Sequence, residues 1–135
     1  GVPSPINVNG ISYPLADKWV LLPSEQLEIK TATDAYNIKI ASVAASKGLA
    51  LVDLNAILTE ATTNGYKTGD FTLSTNLVTG GLVSLDGIHL TARGYALMAN
   101  EFLRAIDATY GSNFEASGNF ANAGSYPTNY SPLLQ

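Results

Sequence analysis

Residues 84–95 of the chain are Ser84-Leu85-Asp86-Gly87-Ile88-His89-Leu90-Thr91-Ala92-Arg93-Gly94-Tyr95. This stretch places an aspartate three residues before the only histidine, at the start of a predicted helix. A histidine that acts as a general base needs a carboxylate to fix its tautomer and to stabilise the imidazolium that forms. Asp86 and His89 therefore fit the two supporting roles of a nucleophilic triad, and the nucleophile must come from elsewhere.

The helix that follows this stretch is predicted to run from Thr91 to Tyr110-Gly111. Its apolar residues recur at helical spacing and predict one buried stripe, formed by Tyr95, Met98, Ala99, Phe102, Leu103 and Ile106. Residues 112–135 are rich in Gly, Ser, Asn and Pro, and they predict an irregular tail. The tail can be held only by its aromatic residues, which are Phe114, Phe120, Tyr126 and Tyr130.

Two more helices are predicted before residue 84. In the first, Ser24 caps an acidic first turn and Gly48 ends the helix, and its inward residues are Ile29, Ala32, Tyr36, Ile40 and Val43. In the second, Asp53 is the cap and Asn64-Gly65 the end, and the inward residues are Leu54, Ile57 and Leu58.

Strand signals are sparse. The all-apolar segment Leu49-Ala50-Leu51-Val52 is typical of a strand buried on both faces of a parallel sheet. Hairpins are predicted at residues 6–13, around Asn9-Gly10, and at residues 66–79, and Gly80-Gly81 marks a turn. One strand cannot form a sheet under three helices. Either the hairpin strands complete the sheet, or its other strands lie in sequence before Gly1.

Composition limits the function. The 135 residues are 46% hydrophobic and 13% charged, which indicates a folded chain with one domain or part of one. Seven basic and eleven acidic residues give a net charge of -4 with no basic run, so we expect neither a nucleic-acid nor an anionic-membrane partner. With no cysteine and one histidine, a thiol nucleophile is excluded and we expect no metal and no cofactor.

The Asp-x-x-His block with Thr91-Ala92-Arg93-Gly94-Tyr95 resembles the last conserved block of the SGNH hydrolases, also called GDSL esterases and lipases. The first helix, residues 49–58 and Val78-Thr79-Gly80-Gly81 are also similar to the carboxy-terminal part of these proteins in Bacteroidetes-type bacteria. The resemblance covers roughly Ile6 to Asn113. It departs from the family at Leu90, where proline often follows the histidine, but this change removes no chemical group.

The resemblance implies that Asp86 and His89 are triad members in a serine ester hydrolase. It implies a partial three-layer α/β/α sandwich of flavodoxin-like type with added β-hairpins, and an α/β fold class. Residues 1–111 would form the carboxy-terminal part of the hydrolase domain and residues 112–135 its tail. The substrate would be a small acyl ester, a lipid or an acylated glycan, and the protein would be secreted or periplasmic in a bacterium.

Several of the family's functional groups are missing from this sequence. The nucleophilic serine of a Gly-Asp-Ser motif and the oxyanion-hole glycine and asparagine have no counterpart. Residues 69–74 imitate the first motif, but the third position is Phe71, and too few residues separate the segment from Asp86 for the crossovers of a parallel sheet. We therefore expect a chain that lacks its amino-terminal half, through processing or design, and that is inactive alone.

Three alternatives stay open. A lone Asp-x-x-His is more often turn and helix-capping chemistry than catalysis. A non-catalytic binding or structural module could retain the fold, and a metal-dependent hydrolase could use Asp86 and His89 as ligands, although one histidine makes this weak. The unpaired edges of residues 49–52 and the uncovered helix faces further predict that the chain self-associates as a homo-oligomer.

Overall fold

The computed structural model describes Val8 and residues 10–129. The helices are α1 (Pro23–Lys47), α2 (Leu54–Thr63) and α3 (Ala92–Tyr110), with short 3₁₀ helices at Asp17–Trp19 and Ala123–Ser125. Strands β1 (Tyr66–Thr68) and β2 (Phe71–Leu73) form an antiparallel pair. This combination of helices and a small sheet agrees with the α/β class in its general sense. The chain divides into two compact units between Val43 and Ala44, within α1.

The first unit contains a turn, a 3₁₀ helix and most of α1. Helix α1 begins at Pro23, one residue before the predicted cap, since the fixed φ of proline suits the first helical position. The Glu25 carboxylate accepts a hydrogen bond from the Leu22 N–H at 2.8 Å and closes the first turn. The hairpin predicted at residues 6–13 lies partly outside the described residues. Within them, Gly10 has φ +82° and donates its N–H to the Tyr13 carbonyl.

The predicted inward face of α1 is wrong. All five of its residues are exposed, namely Ile29, Ala32, Tyr36, Ile40 and Val43. Leu27 and Ile38, which lie off that face, are exposed apolar residues as well. Apolar side chains therefore lie all around α1, and this arrangement does not define a single buried stripe.

The second unit holds the core. Its fully packed residues are Ala61 of α2, Leu73 of β2, Leu82 of the segment between β2 and α3, and Leu97 of α3. The β1–β2 pair, in which Tyr66 lies opposite Leu73, confirms the second hairpin over residues 66–73. The turn at Gly80-Gly81 is also confirmed, because Gly80 donates its N–H to Asn76 and Gly81 has φ +74°.

The predicted strand at residues 49–52 is wrong. This segment follows Gly48, which ends α1 as predicted with φ +62°, but it has no strand beside it among the described residues. A strand exists only through its pairing partner, and the pairing in the described part joins β1 to β2, with isolated bridges elsewhere. Leu49 and Leu51 are accordingly exposed.

The caps of α2 and the ends of α2 and α3 are confirmed. Asp53 accepts a hydrogen bond from the Ala56 N–H at 2.9 Å, α2 ends at Thr63, and Gly111 ends α3 with φ +69°. The inward faces are only partly as predicted. Ile57 of α2 is buried, and α3 buries residues of its second and third turns, namely Ala96, Leu97, Met98 and Asn100. Five residues of α2 and α3 that were predicted to point inward are exposed instead, namely Leu54, Leu58, Tyr95, Ala99 and Phe102.

The tail is held to α3 mainly by polar contacts. Asn100 exchanges two hydrogen bonds with the backbone of Ala121, at 2.9 and 2.7 Å. Arg93 donates its Nε–H to the carbonyls of Ala123 and Tyr126, and its guanidinium lies 4.0 Å from the centre of the Phe71 ring. Of the aromatic anchors predicted for the tail, Phe114 and Phe120 are half-buried and Tyr126 is exposed, while Tyr130 lies outside the described residues.

None of the helices in the described part of the chain combines the length and the apolar character needed to cross a bilayer.

Candidate functional site

The site loop, residues 84–90, is closed at its base by the backbone. Val83 and Leu90 form an antiparallel bridge, the Ser84 N–H donates to the His89 carbonyl at 2.8 Å, and the Thr91 N–H donates to the Leu82 carbonyl at 2.9 Å. At the tip, Gly87 has φ +72°, a conformation that L side chains rarely adopt. The site loop is thus a short loop whose two ends are fixed, at the core residue Leu82 and at the start of α3.

Helix α3 holds the carboxyl end of the loop. Its cap Thr91 is buried, donates its hydroxyl to the Gly81 carbonyl at 2.6 Å and accepts the Gly94 N–H at 3.0 Å. A Cβ at Gly94 would overlap the Leu82 carbonyl, so only glycine permits this close approach. The start of α3 is therefore fixed against the strand-like segment at residues 81–83, and the loop is fixed with it.

Asp86 and His89 are in direct contact. Asp86 Oδ2 lies 2.6 Å from His89 Nδ1, which is a short hydrogen-bond distance. The His89 side chain is 70% exposed and that of Asp86 48% exposed. The pair predicted from three-residue spacing is therefore formed in the structure, on the surface of the second unit.

The other carboxylate oxygen of Asp86 accepts hydrogen bonds from groups of the site loop. Oδ1 accepts hydrogen bonds from the Ser84 hydroxyl at 2.6 Å and from the backbone N–H groups of Ile88 and His89 at 2.9 Å each. The Ser84 hydroxyl, the His89 ring and these two N–H groups together hold the pKa of the Asp86 carboxyl well below its ordinary value. The carboxylate is therefore ionised at neutral pH.

An ionised carboxylate can only accept hydrogen bonds, so the proton between the two groups is carried by His89 Nδ1. In the neutral imidazole, Nε2 then has the free lone pair and can take a proton from a hydroxyl group. The arrangement can therefore orient a general base. The same carboxylate also caps the turn, which was the alternative interpretation. Its Oδ2 contacts the imidazole, while its Oδ1 accepts the hydrogen bonds of the turn.

Ser84 was not predicted as a partner of Asp86. Its signal was present in the sequence, since a serine two residues before an aspartate in a turn is a common local hydrogen-bond pattern. Its hydroxyl donates to the aspartate rather than to the histidine. In this structure Ser84 thus positions the carboxylate.

Other residues considered in the sequence have structural roles. Asp70 lies in the β1–β2 turn and Phe71 in β2, so residues 69–73 belong to a hairpin and do not form a nucleophile turn. The backbone of Ser74 is bonded to Gly80 and Leu82. No group of three metal-ligating side chains comes together among residues 10–129 and Val8.

An apolar cavity of about 740 Å³ opens beside the site loop. Gly87, Ile88 and Leu90 line one side of it. The other walls come from α2, α3 and the turn before residue 80, mainly through Leu54, Leu58, Leu77, Tyr95, Met98 and Phe102. These are the same α2 and α3 residues that were predicted to point into a core.

Comparison of the chain with protein-family models, with curated proteins and with solved structures gives no match.

Proposed function

We propose that this chain supplies the aspartate and histidine of a serine ester hydrolase of the SGNH type. The observation that carries the proposal is the 2.6 Å contact between Asp86 Oδ2 and His89 Nδ1 on a fixed loop at the start of α3. The chain itself has no Gly-Asp-Ser motif, so the nucleophile would come from a polypeptide segment outside these residues. In the complete enzyme the fold would be a three-layer α/β/α sandwich.

The proposed mechanism follows from this geometry. A serine placed against His89 Nε2 would lose its proton to the imidazole as its oxygen attacks the ester carbonyl. Asp86 would keep the Nδ1 proton in place and stabilise the imidazolium. His89 would return the proton to the leaving alcohol, and water would release the acyl group by the same steps. The substrate would be a small acyl ester, a lipid or an acylated glycan, met outside a bacterial cell or in its envelope.

The first test is the intact mass of the chain after incubation with a fluorophosphonate, which labels activated serines. We expect no adduct on this chain alone, because Ser84 donates its hydroxyl to Asp86. A polypeptide that joins this chain to the segment with the serine should be labelled, and its His89→Ala variant should not. A stoichiometric adduct on the chain alone would contradict the proposal that the nucleophile lies elsewhere.

The Asp86→Asn variant separates catalysis from turn capping. Asparagine keeps an acceptor oxygen for the Ser84 hydroxyl and the two N–H groups, but its amide would face Nδ1 as a donor and favour the wrong tautomer. If the pair is catalytic, labelling of the joined polypeptide should fall by orders of magnitude while its folding is unchanged. Labelling that is not reduced by Asp86→Asn would instead support the alternative that this chain is a non-catalytic binding or structural module.

A further inference from the structure

A polar cavity of about 330 Å³ lies between the β1–β2 hairpin, α3 and the tail. On α3 its walls are Asn100, Glu101 and Arg104. Asn100 comes nine residues after Thr91, which is about 14 Å along a helix, so this polar cavity is separate from the Asp86–His89 pair. The volume is at the small end of the range for ligand sites and suits one ring-sized molecule rather than a long chain.

Thr68 brings a buried hydroxyl group to this polar cavity. The residue is 9% exposed, and its hydroxyl makes no hydrogen bond with any residue of the described part of the chain. Among the residues that the structure describes, no enclosed side-chain nitrogen or oxygen lacks a partner, so the Thr68 oxygen keeps an accessible surface. Since Thr68 lines the polar cavity, that surface opens into it. The hydroxyl is therefore free to bond a ligand there, as donor and as acceptor.

The register of the hairpin directs the Thr68 side chain toward α3. Thr68 lies opposite Phe71 in the antiparallel pair, so the two side chains share one face of the hairpin. Phe71 on that face contacts the guanidinium of Arg93 of α3. Thr72 belongs to the opposite face and is exposed. The inner face of the hairpin therefore forms one wall of the polar cavity.

The charges around the polar cavity nearly balance. Its lining includes three acidic and two basic residues. Arg104 is paired with Glu101 and, at 3.4 Å, with Glu115. Within the described ranges, the Lys67 ammonium and the Asp70 carboxylate have no such partner. A neutral ligand with several hydroxyl groups fits this mixture of donors and acceptors better than an anion or a cation does.

Two aromatic rings complete the lining. Phe71 and Phe120 give the polar cavity apolar surface, and Arg93 and Arg104 lie over these rings at 4.0 and 5.1 Å from the ring centres. A sugar ring has the matching chemistry, because it carries hydroxyl groups on its edge and apolar C–H groups on its faces.

We propose that this polar cavity binds a neutral pyranose ring, with the Thr68 hydroxyl and the Asp70 carboxylate bonded to sugar hydroxyl groups and the two phenylalanines beside its C–H groups. The site would hold a glycan at a point apart from the dyad. Among the three substrate classes it would favour an acylated glycan, and this last step rests on the proposed function.

The test is a ¹H–¹⁵N NMR titration of the chain with methyl β-D-glucopyranoside, methyl β-D-galactopyranoside and methyl β-D-xylopyranoside. Ethanolamine and acetate are the charged probes for comparison. We expect at least one pyranoside to cause saturable shifts of the Thr68, Asp70 and Asn122 amide signals, with a dissociation constant in the millimolar range. The charged probes should cause no saturable shift of these signals.

Three variants isolate the hydroxyl group. Thr68→Val removes it without changing the shape of the side chain and should weaken sugar binding about tenfold, whereas Thr68→Ser keeps it and should retain binding. Because the hydroxyl has no partner within the described part of the chain, Thr68→Val should not lower the midpoint of urea unfolding. Thr72→Val, on the opposite face of the same hairpin, is the matched control and should leave sugar binding unchanged.

Three results would overturn the inference. They are no saturable shift with any of the three pyranosides, sugar binding that Thr68→Val does not weaken, and saturation of the same signals by ethanolamine or acetate. None of these measurements involves the dyad or a nucleophile. A joined polypeptide that is not labelled by fluorophosphonate would contradict the proposed function and leave the sugar site standing, whereas labelling without sugar binding would do the reverse.

Discussion

Asp86 carries more interactions than any other side chain of the site loop. Its Oδ2 contacts His89 Nδ1, and its Oδ1 accepts three hydrogen bonds from Ser84, Ile88 and His89. The sequence predicted the first of these contacts, because a spacing of three residues on a loop brings the two side chains within reach. It did not predict Ser84, because the direction of a serine hydroxyl is decided by the local turn and not by its position in the sequence.

Replacing Ser84 with alanine should raise the pKa of the Asp86 carboxyl toward its ordinary value of 3.8. The pKa should remain below that value, because the His89 ring and two N–H groups still stabilise the anion. The measurement is a ¹³C NMR titration of Asp86 Cγ. Ser112→Ala, which removes a similar hydroxyl bond to Asp107, is the matched control and should leave Asp86 unchanged.

The direction of the pH dependence follows from the same shift. Since folding lowers the pKa of Asp86, its contribution to loop stability is present above the ordinary pKa and is lost as the pH falls through the lowered value. A ¹H–¹⁵N NMR titration should therefore show the Ile88 amide signal constant just above about pH 4 and changing as the pH falls below it. An Ile88 amide signal that does not respond to acid would contradict this assignment.

At the level of elements, local signals were sufficient for the ends of helices. Asp53, Gly48 and Gly111 act where the sequence placed them, because a cap is decided by a few neighbouring backbone groups. The strand at residues 49–52 and the inward face of α1 were not found as predicted, and the inward faces of α2 and α3 were found only in part. All of these depend on a covering surface distant in sequence, and a hydrophobic pattern does not show where that surface is.

Among the contacts between elements, those of the Thr91 side chain fix the site loop to α3. Thr91→Val retains the shape but leaves the Gly81 carbonyl and the Gly94 N–H without their partner, so we expect a loss of about 1–3 kcal/mol in the free energy of unfolding. Thr91→Ser keeps the hydroxyl and should lose less. Urea unfolding of the three proteins measures the difference, and equal stability of Thr91→Val and the unchanged chain would contradict the role of this bond.

For the whole molecule, the distribution of buried residues separates two kinds of helix. Helix α3 buries Ala96, Leu97 and Asn100 and is tied to the tail, whereas residues 23–40 of α1 are exposed throughout. A helix with few buried contacts owes its stability to intrahelical bonds alone, and these are marginal in water. The exposed ion pair of Lys30 and Asp34 adds little to it.

Amide hydrogen exchange should therefore show the two helices opening with different free energies. In the monomer at low micromolar concentration, the amides of residues 27–40 should exchange orders of magnitude faster than those of residues 96–106, because local opening of α1 exposes little additional apolar surface. Ile38→Lys should leave the exchange of α3 unchanged, since Ile38 is itself exposed. Equal protection of the two helices would contradict this prediction, because it would mean that α1 is covered in solution.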